Sequence, residues 1–168
     1  EIAAGRTITV RKALAVAQPQ GALVHYAAEH EKMASIGTEQ SLVIDPGSRT
    51  FDWLVCRGMR LVQKQSHSIN RGMSDVLRLM AAEISKDIGT PYRDYDAIDL
   101  ALRTGKAPVI FQKPYDMKRH LPIAESVAQQ AVSTMRQWIE TPESLQRMSR
   151  HGGGAVGFKE AVRGAGWK

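Results

Sequence analysis

The chain has 168 residues, 43% of them hydrophobic, and its 23 Lys and Arg against 17 Asp and Glu give a formal charge of +6. That size suits one domain with a sizeable core. The apolar runs are far too short to span a membrane, so no membrane partner is expected. The single cysteine excludes an internal disulfide framework and suits a reducing cytoplasm.

In chain order, residues 6–17, RTITVRKALAVA, read as a strand rich in Val, Ile and Thr. Gln18-Pro19-Gln20-Gly21 interrupts it, and Leu23, Tyr26, Ala27 and His30 then recur at helical spacing. SLVI (41–44) and WLV (53–55) are strands, and MRLVQKQSHSI (59–69) is expected to add a third. Cys56 lies in the strand run WLVCRGM (53–59), where a core thiol is expected rather than a nucleophile. Asn70 can cap a helix over residues 73–88, whose Met73, Val76, Leu77, Met80, Ile84 and Ile88 share one face. Residues 94–103 suit a short helix, and TGKAPVIFQKPYD suits a loop with a short strand. Ile123, Val127, Ala131, Met135 and Trp138 define a further helix over 121–139, with Pro122 in its first turn. Thr141-Pro142 breaks the chain before Gly152-Gly153-Gly154-Ala155 and a last short helix to about Val162.

The positive charge suggests attraction to a polyanion, but it is scattered. Arg57, Arg60 and Lys64 flank one strand, and Lys113, Lys118, Arg119 and His120 form the one local cluster. There is no zinc spacing and no nucleic-acid motif, so direct DNA binding is not expected. A solvated face accounts for these charges equally well.

Three loops carry the chemistry. The most specific is Asp45-Pro46-Gly47-Ser48-Arg49-Thr50-Phe51-Asp52, set between two apolar strands. A hairpin turn alone explains Pro-Gly. It does not explain two aspartates and a threonine at this spacing. A phosphate site does: glycine admits the anion, consecutive N–H groups and hydroxyls cradle it, and a carboxylate at a strand end holds hydrated Mg²⁺. The second loop, AQPQGAL, lies between a strand and a helix. The third, HGGGAVGFKEA, opens a helix, although a Gly-rich run can also be just a flexible turn.

The order of these loops resembles the second half of the actin, heat-shock-chaperone and sugar-kinase ATPase superfamily. DPGSRTFDWLV, then RGM, then GGGA look most like its plasmid-segregation members of the ParM or StbA type, over roughly residues 6–163. The resemblance implies that Asp45 binds Mg²⁺ through water and that Gly47, Ser48, Arg49 and Thr50 form the second phosphate loop. It implies that Gln18 orients the attacking water, that Gly72 lies beside the ribose, and that Gly152, Gly153, Gly154 and Ala155 approach the nucleoside and α-phosphate. Two departures stand out. The superfamily's first D-x-G phosphate loop is absent, and QRMSRH is polar where an apolar strand precedes GGGA.

The expected fold is therefore a single α/β domain over residues 1–168. It is a ribonuclease-H-like mixed sheet flanked by helices, one half of an actin-like ATPase and a fragment or altered copy of it. The expected cofactors are ATP and Mg²⁺. The expected partners are an N-terminal half, further copies in a filament, and a DNA-bound adaptor. A structural or interaction module with the same fold and no hydrolysis of its own stays open as the alternative.

Overall fold

A computed structural model describes residues 9–13, 15, 17–154 and 158–164. The elements in chain order are α1 (Gln18–Glu29), α2 (Met33–Ile36), β1 (Gln40–Pro46), β2 (Phe51–Arg57), β3 (Arg60–Leu61) and β4 (His67–Ile69). They continue with α3 (Met73–Ile88), α4 (Tyr95–Thr104), β5 (Val109–Ile110), β6 (Lys113–Pro114), α5 (Leu121–Trp138), β7 (Arg147–Arg150) and α6 (Lys159–Gly164).

β1 and β2 form an antiparallel hairpin that pairs Asp45 with Asp52 and Pro46 with Phe51. β7 joins β1 in parallel, and β3 and β4 both pair with β2, so the main sheet is mixed, in the order β3-β2-β1-β7. Every residue of β1 is buried, as expected of a strand covered on both faces. Leu42, Ile44, Phe51, Trp53 and Val55 pack on Ala128, Ala131, Val132 and Met135 of α5 and on Phe158 and Val162. Val43 and Cys56, on the opposite face, pack on Leu23, Ala27 and Ile36. Cys56 is fully buried, which pushes its thiol pKa up and makes it a core residue, as expected. A second layer unites α3, α4, the start of α5 and the β5–β6 hairpin around Met80, Ile84, Ile98 and Ile110.

The amphipathic helices fall where their periodicity puts them, and β1, β2 and the last helix also match. Four expectations change. Residues 9–13, 15 and 17 form no strand, and the rest of the expected strand over 6–17 lies outside the described residues. Gln18-Pro19 does not precede the helix but opens α1, because proline is tolerated in a first turn. The third strand is split into β3 and β4 by a 3₁₀ turn at Gln63–Gln65. Ser66 causes the break: its Oγ accepts the Val55 N–H at 2.9 Å and donates to the Val62 carbonyl at 2.9 Å, taking up groups that a ladder would use. Finally, Gly72, not Asn70, caps α3, with the Asp75 carboxylate accepting the Gly72 N–H at 3.3 Å.

Candidate functional site

Because β7 runs parallel to β1, the loops that follow both strands leave the sheet at the same end. That is the end at which open α/β sheets bind ligands. In the loop after β1, the Gly47 N–H donates to the Thr50 carbonyl at 2.8 Å, and Thr50 Oγ1 donates to Asp52 Oδ2 at 2.7 Å. The N–H groups of Ser48, Arg49 and Thr50 have no hydrogen-bond acceptor among the described residues. Three consecutive open donors beside two hydroxyls make a nest for an oxyanion.

α3 locks this loop from one side. Its first amides, Met73 and Ser74, donate to the carbonyls of Gly47 and Ser48 at 3.1 and 2.8 Å, and the Ser48 and Ser74 hydroxyls lie 3.0 Å apart. The helix N-terminus thus holds the loop. Gly72 makes the approach possible, since a Cβ there would lie 2.5 Å from the Ser48 carbonyl oxygen.

The Gly-rich loop closes the other side. The His151 and Gly154 amides donate to the Ile44 and Pro46 carbonyls, both at 2.8 Å. Gly152 has φ +85°, and a Cβ on it would collide with the Asp45 carboxylate. A Cβ on Gly154 would lie 2.7 Å from the Pro46 oxygen and 2.8 Å from Met73 Cγ. Beside Gly153 and Gly154 opens a cavity of about 180 Å³, walled by Met73, Val76, Leu102 and Ala124 and flanked by the Asp99–Arg103 ion pair at 2.8 Å.

Asp45 stands where the loops meet. It is 6% exposed, and its pKa is raised, first by burial and then by Asp52 across the hairpin, while His151 opposes the rise. A carboxylate kept in so unfavourable a place is suited to a hydrated cation, whose charge would offset both causes. The donor set fits Mg²⁺ and a phosphorylated ligand: one carboxylate, an open amide nest and an apolar cavity alongside.

The structure brings Asp45, Gly47, Ser48, Arg49, Thr50, Gly72, Gly152, Gly153 and Gly154 to one place. Ala155 lies outside the described residues. Gln18 is not brought there. Gln20, in the first turn of α1, donates from Nε2 to the Met59 carbonyl at 2.9 Å, and Met59 follows the far end of β2. The seven residues of β2 put that end roughly 20 Å from Phe51 and hence from the loop. Ser74 and His151 lie at the candidate site without having been singled out as functional, and Asp52, read as part of the same loop motif but given no role, pairs with Asp45 across the hairpin. Ser74 had a signal in being the second residue of a helix opened by Gly72; His151, in the polar run before GGGA, had none.

A mixed sheet with a D-x-G hairpin loop and a Gly-rich loop at one end is the arrangement of an actin-like fold. The chain belongs to the family of archaeal actin homologues, MreB-like, C-terminal domain, whose profile matches residues 43–164. Among solved structures it is similar to Ta0583, an archaeal actin homologue, with a TM-score of 0.77 and 22% identity over 89% of this chain and 46% of that one. The ADP complex of Ta0583 superposes with a TM-score of 0.75 and 22% identity over 89% of this chain and 48% of that one. A 15-stranded ParM filament from Clostridium botulinum gives a TM-score of 0.69 and 17% identity over 87% of this chain and 45% of that one. The chain thus spans under half the length of these structures. No curated protein sequence matches it. No helix among the described residues is long and apolar enough to cross a membrane.

Proposed function

We propose that this chain is the nucleotide-binding second half of an actin-like ATPase that assembles into filaments. The observation that carries the reading is the convergence of two loops and the N-terminus of α3 around the buried Asp45 carboxylate. ATP with Mg²⁺ is the ligand that this donor set suits best, and the ADP bound to Ta0583 supports a nucleotide in this family. Bound Mg²⁺ would neutralise phosphate charge and polarise the bond to be broken. The open amides of Ser48, Arg49 and Thr50 hold phosphate oxygens in place, Asp45 anchors the hydrated cation, and the α3 amides keep the loop from moving. Gly152 and Gly154 let the backbone close on the phosphates, and the cavity beside them takes the nucleoside. Gln18 has no part in the site in this arrangement. Filament assembly is supported by the ParM likeness, and the wording DPGSRTFDWLV favours a plasmid-segregation role with a DNA-bound adaptor as partner.

Calorimetry with Mg²⁺-ADP tests the reading. Wild-type chain is expected to bind, and Asp45→Ala to lose the Mg²⁺ dependence of binding while keeping its fold. Equal, Mg²⁺-dependent affinity in both proteins would remove Asp45 from the site.

A further inference from the structure

We propose that the β3–β4 edge of the main sheet, with the groove beside it, binds a single strand of nucleic acid. The proposal goes beyond the nucleotide site and does not depend on it. Residues 53–74 hold Arg57, Arg60, Lys64 and Arg71 and no aspartate or glutamate. Scattered along the chain, these charges form no motif. The fold collects them. β1 takes one side of β2, and β3 and β4 both pair with its other side, so the stretch from Arg60 to Arg71 runs along one edge of the sheet. All four cations are exposed, and none is ion-paired among the described residues. Arg57 and Arg60 are even direct partners across β2 and β3, a like-charge pair that costs stability until an anion shares it. Such an uncompensated row attracts a polyanion.

Between the end of this edge and α5 opens a groove of about 690 Å³. Asn70, Arg71, Ser126, Gln130 and Thr134 are in its lining, and no carboxylate is. Hydroxyls, amides and a guanidinium bond phosphate and sugar oxygens, and the missing carboxylates leave nothing there to repel them.

The two elements that wall the groove meet again in a pair of rings. His67 of β4 stacks on Trp138 of α5, with centroids 4.2 Å apart and planes 13° from parallel. Trp53 meets both edge-on, at 5.6 and 6.5 Å, and is itself buried and tied through its indole N–H to the Gln65 carbonyl at 3.0 Å. His67 is exposed, so the ring pair forms a braced platform with its outer face turned to solvent. A basic track that leads to an aromatic platform is how single strands are held without sequence readout. Paired bases hide the faces that stack, so a duplex gains from the charge alone. A lipid surface is a poorer match, because the groove is concave and Ile69, half-buried, is the one apolar side chain in its lining.

Fluorescence anisotropy of labelled thymidine and uridine homopolymers with the whole chain, over a range of salt concentrations, is the test. A duplex of mixed sequence and vesicles containing phosphatidylserine are the comparisons. Wild type is expected to bind the single strands more tightly than the duplex. Its affinity should fall with salt at a log–log slope of about −2, as for roughly three phosphate contacts. Lys64→Gln and Arg71→Gln should each reduce that slope by about 0.7. His67→Ala should weaken binding about tenfold with the slope unchanged, and His67→Phe, which keeps a ring there, should restore it. A preference between thymidine and uridine strands tells whether DNA or RNA is the ligand, and either result supports the proposal. No binding at low salt overturns it, as does a slope indifferent to Lys64 and Arg71. So does a duplex bound as tightly as the single strands with His67→Ala without effect, which would reduce the surface to diffuse charge. Binding to the vesicles and to neither homopolymer also overturns it.

Discussion

Asp45 illustrates how a residue proposed to bind a cation works against its own fold. Its folded pKa lies above the unfolded value because burial and Asp52 disfavour the charge. The sign follows: the charged form is a liability above the folded pKa, and stability recovers as pH falls through that value toward the unfolded one. Asp45→Asn removes the charge and keeps the shape. It should raise the melting temperature of the ligand-free chain, by about 1 kcal/mol equivalent, while weakening Mg²⁺-dependent nucleotide binding. A melting point unchanged or lowered in thermal denaturation would refute the conflict. Gly72 makes the converse case. An added Cβ would meet the Ser48 carbonyl at 2.5 Å, and that carbonyl is fixed by the Ser74 amide. Gly72→Ala should therefore destabilise by roughly 2 kcal/mol and impair nucleotide binding with it, read by chemical denaturation.

At the scale of elements, legibility followed the strength of the physical signal. Helix α3 was expected at 73–88 and found at Met73–Ile88, because six apolar residues at helical spacing leave one packing solution. The D-x-G hairpin was legible from two apolar runs and a Pro-Gly turn. β5–β6 was read only as a loop and short strand, because Phe111-Gln112 lacks the Asn-Gly signature of such turns. β7 looked unlike a core strand for a different reason. Its residues are only half-buried, and Arg147 finds Glu39 at 2.8 Å and the Tyr26 hydroxyl at 3.1 Å, so polar side chains are accommodated there. Phe111 and Gln112 stand at φ 50° and 62°, and this strained turn makes a prediction: Gln112→Gly should stabilise the chain by about 1 kcal/mol, seen as a higher denaturation midpoint. The base of the same hairpin has a pH dependence. Asp87 is held below the usual carboxylate range, first by the Tyr115 hydrogen bond and also by Arg119 and His120, whereas the Tyr115 hydroxyl is pushed up to about 12. A depressed carboxylate stabilises above its unfolded pKa, and the contribution is lost as pH falls through the lower folded value. Amide protection factors around residues 108–120, taken relative to intrinsic exchange at each pH, should therefore fall below about pH 4 in wild type. Tyr115→Phe should abolish most of that fall by lowering the neutral-pH protection to begin with.

On the proposed reading, the described residues supply one wall of a nucleotide cleft, with the amide nest and Asp45 at one end of the sheet and the cavity beside Gly153 and Gly154 next to them. In a phosphoryl-transfer site, positioning and charge neutralisation do nearly all the work, and they require donors on more than one side of the phosphates and exclusion of water. A single wall can bind without meeting those demands. The chain by itself is therefore expected to bind Mg²⁺-ATP in the millimolar range and to show no turnover above background. The linkage relation turns that affinity into a measurable shift: ligand at about five times its dissociation constant stabilises by about 1 kcal/mol. For a domain of this size that is roughly 2–4 °C in melting temperature. Thermal denaturation with and without nucleotide, beside a phosphate-release assay, reads both halves of the prediction. Tight binding with turnover in a monomeric chain would show that one wall is sufficient and that the reading of a shared cleft is wrong.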